Sequence, residues 1–123
     1  MEQVSPIDQV NDWCRGSPAA NRSYPFGEQA AVFKVGGKMF ALVSEKGPPD
    51  TVTLKGLPEE NEAIRSQHDF VRPGYYMNKR HWITIDLGPD VPMDLIEELV
   101  NESYRLVATA LPKRKQLELG IGD

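Results

Sequence analysis

The segment Arg72-Pro73-Gly74-Tyr75-Tyr76-Met77-Asn78-Lys79-Arg80-His81-Trp82-Ile83-Thr84-Ile85 joins a glycine-containing turn, two tyrosines, basic residues and a tryptophan, with no acid before Asp86. Such a mixture suits a partner that carries phosphates. Arginine and lysine neutralise the phosphate charge, and aromatic faces stack on bases. Lys79, Arg80 and His81 would make salt-dependent phosphate contacts, or else form a solvated turn. Asn78 would reach a phosphate or base edge, or supply the left-handed residue of the turn. Trp82 would serve as a stacking platform or a protein-binding anchor, or pack on a sheet beneath Tyr75 or Tyr76. Arg72 would meet the ligand, or pair with an acid from the final helix.

These side chains need a frame, and the sequence supplies its parts. Ser5-Pro6-Ile7-Asp8 is a helix start, with Ile7, Val10 and Cys14 on one face and Gly16-Ser17-Pro18 as the stop. Residues 30–35 and 38–43 flank Gly36-Gly37 as a β-hairpin. Thr51 to Lys55 alternates as a strand, placing Val52 and Leu54 on one face and Thr51, Thr53 and Lys55 on the other. Residues 58–65 read as a short helix with acids in its first turn, and residues 68–71 as a short strand. Trp82 to Leu87 alternates again, and Pro92 opens a helix whose apolar stripe includes Ile96, Val100, Ser103 and Val107.

The order predicts an α+β two-layer sandwich: an antiparallel sheet with N- and C-terminal helices packed on one face. The other face carries Thr51, Thr53, Lys55, Trp82 and Thr84, which adds Lys55 to the candidate ligand surface. Ser103 needs an internal hydrogen-bond partner because it lies on an apolar stripe. Tyr104 is expected to link helix and sheet in the same way. The loop Tyr24-Pro25-Phe26-Gly27 is expected to close one end of the core with its aromatic rings.

Composition limits the function. The 123 residues fit one domain over residues 1–123, with a core at about 5–113 and a basic tail at 113–123. A net charge of −4 argues against a general nucleic-acid coat protein, yet the charge is uneven. Residues 86–102 carry six acids and no lysine or arginine, whereas Lys113, Arg114 and Lys115 form a second basic group. No apolar run approaches ~18 residues and no signal peptide is visible, so a cytoplasmic protein without a membrane segment is expected. A single Cys14 fits a reducing compartment. No phosphate-cradling glycine loop, zinc spacing or marked nucleophile is present, so neither an enzyme nor a cofactor is expected. His68, His81 and Cys14 make a poor metal set. Glu97, Glu98 and Glu102 read as a solvated helix face, or as a weak hard-cation site.

The chain resembles the MmcQ/YjbR family of small bacterial proteins over roughly residues 5–113. The resemblance is carried by Tyr24-Pro25-Phe26-Gly27, residues 33–41 (Phe-Lys-Val-Gly-Gly-Lys-Met-Phe-Ala), Thr53-Leu54-Lys55, residues 72–82, Val91-Pro92, Ser103-Tyr104 and Leu111-Pro112. It implies a fold like the bacterial frataxin homologue, also called a double wing and compared with the DNA-binding domain of a phage transcription factor. Members are commonly labelled DNA-binding, and the resemblance implies that label here. The leading expectation is therefore a non-enzymatic, monomeric domain contacting DNA through Lys55, Arg72, Tyr75, Asn78, Lys79, Arg80, His81 and Trp82. A protein-interaction module using the open sheet face around Trp82 is the alternative. A metal or small-ligand carrier comes third.

Overall fold

The computed structural model describes residues 5–47, 49–74 and 77–121. Helix α1 (Pro6–Arg15) is followed by β1 (Ala20–Ser23), β2 (Ala30–Val35), β3 (Lys38–Ser44) and β4 (Thr51–Lys55). Then come α2 (Pro58–Gln67), β5 (Val71–Pro73), β6 (Trp82–Asp86), α3 (Met93–Ala110) and α4 (Lys113–Glu118). The strands form one antiparallel sheet in the order β1-β2-β3-β4-β6-β5. This is the α+β architecture expected from the sequence, with α1 and α3 packed on one face. No helix of the described residues is long and apolar enough to cross a membrane.

Local chemistry explains the main elements. The Ser5 hydroxyl accepts a hydrogen bond from the Asp8 amide and Pro6 occupies the first turn, so α1 starts where a missing amide proton costs nothing. Gly36 and Gly37 both have positive φ, +58° and +80°, the backbone of a two-residue turn whose twist matches its strands. Alternation in β4 and β6 sends Val52, Leu54, Ile83 and Ile85 into the core against Val10, Cys14, Ile96 and Val100. Burial pushes the Cys14 thiol up to about 12, so it stays protonated inside this layer.

Several details depart from expectation. β1 is an additional edge strand, nearly all exposed, and α4 follows Pro112 with Leu119 and Ile121 packed against the core. The fifth strand lies at Val71–Pro73 rather than at residues 68–71. Tyr24 and Phe26 do not close the core: they are 46% and 67% exposed. Thr53 and Thr84, expected on an open face, are almost fully buried and hydrogen-bonded to each other at 2.9 Å. They are small residues in the row Leu42–Thr53–Thr84–Arg72, sheltered by longer neighbours.

One irregularity shapes everything near the basic turn. Phe33 pairs with Ala41 and Lys34 with Met39, so Phe40 is an extra residue in β3, a β-bulge. Both Phe40 and Ala41 are fully buried. The β3–β4 ladder runs only as far as Ala41 opposite Leu54. Beyond it the Ser103 hydroxyl from α3 stands between the strands, accepting from the Lys55 amide at 2.8 Å and donating to the Phe40 carbonyl at 2.5 Å. The internal partner expected for Ser103 is thus the broken end of the ladder. Tyr104 also ties α3 down, but to the loop before β1: its hydroxyl donates to the Pro18 carbonyl and its ring meets Phe40 edge-on.

Candidate nucleic-acid interface

Where β3 and β4 part, a notch of about 360 Å³ opens at the end of the sheet. Lys38 and Met39 from β3, Lys55 from β4 and Trp82 from β6 wall it, and Val107 of α3 and Leu111, which caps that helix, lie at its base. Lys55 and Trp82 are direct cross-strand partners. Trp82 and Lys55 are half-buried and Lys38 is exposed. Among the described residues, no acid lines the notch. Among the described residues, Lys38, Lys55, Lys79 and Arg80 form no ion pair.

The turn before Trp82 is held from both sides. The Asn78 side-chain oxygen accepts from the Arg80 amide, and the Asn78 carbonyl accepts from the His81 and Trp82 amides. Asn78 is not among the residues with positive φ, so its role is a side-chain-closed turn rather than a left-handed bend. Asn61, 1% exposed and the buried residue of α2, donates to the Gly56 and Arg80 carbonyls at 3.1 and 3.0 Å. Gly56 donates to the His81 carbonyl at 2.9 Å. A Cβ on Gly56 would lie 2.1 Å from the Asn61 oxygen, so only glycine admits this clamp. Lys79, Arg80 and their turn are therefore fixed beside the end of β4, with both basic side chains exposed.

Arg72 is not part of this cluster. On edge strand β5 its guanidinium pairs with Asp86 of β6 at 2.7 Å, and not with an acid of the final helix. Tyr75, and Tyr76 as a cover for Trp82, lie outside the described residues. Two contributors escaped the sequence reading. Lys38 follows the hairpin turn immediately, and nothing in the sequence spacing showed that the end of β3 opens beside Lys55. Asn61 carries a sequence signal of its own: an asparagine inside a helix among good helix formers has a reason to be there. The exposed cations of Lys113–Lys115 join the same end of the molecule, since a Cβ at Gly36 would touch both Leu111 and Leu119.

On the other side of Lys55 lies a groove of about 410 Å³ between α2 and α3. Leu54, Ile64 and Leu99 make it apolar, and Glu60, Glu98 and Glu102 make it acidic. Arg105, hydrogen-bonded to Glu102, holds that carboxyl below its ordinary value. Glu102 thus stays ionised throughout the neutral range.

Comparison with known proteins agrees with this architecture. A YjbR family model matches residues 15–106. The Escherichia coli K12 protein YjbR, described as uncharacterized, is 36% identical over 110 residues, covering 89% of this chain and 93% of its own. YbdF of Escherichia coli O157:H7, likewise uncharacterized, is 37% identical over 99 residues, covering 80% and 81%. The crystal structure of the Deinococcus radiodurans protein DR2400 superposes with a TM-score of 0.87 at 35% identity, covering 97% of this chain and 93% of that one.

Proposed function

The chain belongs to the YjbR family, and we propose that it is a non-enzymatic nucleic-acid-binding domain that contacts DNA with the end of its sheet. One observation carries the reading: cations distant in sequence converge around Trp82 without an acid among them. Lys38, Lys55, Lys79 and Arg80 supply phosphate contacts, and Trp82 supplies an aromatic face. Arg72 contributes little, because Asp86 already neutralises it. The net charge of −4 keeps the affinity low and confines binding to this end.

A protein-docking role for the open sheet face has less support. The exposed large apolar side chains among the described residues are Tyr24, Phe26, Leu57 and Leu117, and none lies in a strand. Among the described residues, no large apolar side chain is exposed on the strands around Trp82 to extend the notch into a docking patch.

Fluorescence anisotropy of labelled DNA at about 50 and 200 mM salt tests the reading. Lys79→Ala with Arg80→Ala should lower the log–log salt slope by about 1.4–1.8 units, at 0.7–0.9 per phosphate contact. An unchanged slope would remove the turn from the interface. Absence of binding at tens of micromolar protein in low salt would remove DNA altogether.

A further inference from the structure

We infer that the notch between β3 and β4 seats one unpaired nucleobase against Trp82, with the flanking phosphates on Lys38 and Lys55, so that the ligand is a single strand rather than a closed duplex. This deepens the nucleic-acid reading and rests on it. The bulge at Phe40 and the wedge of Ser103 part the two strands and leave a recess. Its volume of about 360 Å³ is at the small end of the about 300–1,000 Å³ that ligand sites span, enough for a base and too little for an extended cofactor.

The chemistry of the walls selects the occupant. Trp82, Met39, Val107 and Leu111 offer an apolar recess, and such a lining suits a flat face better than a pattern of base-edge donors and acceptors. In a duplex the base faces are buried in the stack and only edges reach the grooves. An unpaired base exposes its face, and stacking on an aromatic ring tolerates any sequence. Lys38 and Lys55 stand on opposite strands of the opening, where the backbone of an inserted nucleotide would enter and leave. A strand continuing from Lys55 would meet Lys79 and Arg80.

The test uses the fluorescence of Trp82. The chain has two tryptophans, so a Trp13→Phe background leaves Trp82 as the reporter. Oligothymidylate should quench it along a saturable curve, binding at least about tenfold more tightly than a duplex of equal length. Trp82→Ala should weaken single-strand binding roughly 5- to 150-fold, the range set by one stacked base. Should that variant fold poorly, Lys38→Ala replaces an exposed side chain and should lower the single-strand salt slope by about 0.7 unit. Equal duplex affinity without Trp82 quenching overturns the inference and leaves the nucleic-acid reading standing. Thymidine monophosphate binding as tightly as the oligomer overturns it in favour of a free nucleotide. Binding of neither DNA form overturns both.

Discussion

Lys55 divides two recesses of nearly equal size and opposite chemistry. On one side lies the notch, walled by Lys38, Lys55 and Trp82 with no acid. On the other lies the α2–α3 groove, with Glu60, Glu98 and Glu102 on an apolar bed. A polyanion meeting this end of the molecule would be attracted by the first and repelled by Glu60 and Glu98 of the second, Glu102 being already paired with Arg105. The two are also made differently. The notch exists because a ladder is interrupted. The groove exists because α2 is held away from α3 by the buried amide of Asn61, whose bonds run to the strand end and basic turn instead.

The comparison is broken most severely at the residue between the strands. Ser103→Ala strands the Phe40 carbonyl and the Lys55 amide, and each buried orphan costs about 1–3 kcal/mol. A loss of about 2–6 kcal/mol in urea denaturation is expected. A near-neutral result would mean that the two strands zip together without the wedge, and DNA affinity should then fall as the notch closes.

Asn61→Ala acts on the other side. It should cost about 1–3 kcal/mol and speed amide exchange at Gly56 and His81 through Trp82, since the turn loses its tether. Unaltered exchange would show that the notch side alone positions the turn. The smallest effect belongs to the exposed pair at the far edge. Asp86→Asn should change stability by less than about 1 kcal/mol, because the pair is solvated. It should also release Arg72 and raise low-salt DNA affinity a few-fold, an increase that anisotropy would detect. No gain would place the bound strand away from β5.

Periodicity made most of the frame legible. α1, the Gly36-Gly37 hairpin, β4, β6 and α3 each carry an apolar pattern or a turn signal that forces one local answer. β1 and α4 carry neither: Ala20–Ser23 is a polar edge held by pairing, and Lys113–Glu118 is anchored by residues beyond its own end. The site was half legible. Lys55, Trp82 and the turn residues follow from alternation and composition, and Ser103 from the cost of burying a hydroxyl. Lys38 was hidden because the recess it lines exists only where the ladder breaks at the Phe40 bulge, and sequence spacing records no bulge. The burial of Thr53 and Thr84 was hidden for another reason: exposure depends on how tall the neighbours are, not only on which face a residue occupies.

The Ser103 wedge also separates what this molecule can vary from what it must keep. The opening is fixed by one hydroxyl and two main-chain groups, none of which reads a ligand, while the chemistry at the mouth sits on the side chains of Lys38, Lys55 and Trp82. Rim residues are free to be exchanged without touching the joint that holds the strands apart. Turning the exposed Lys38 into an acid would reverse the charge at the mouth at little risk to folding. Damage to the joint would instead cost stability and recess together, and no compensation at the rim would restore the opening.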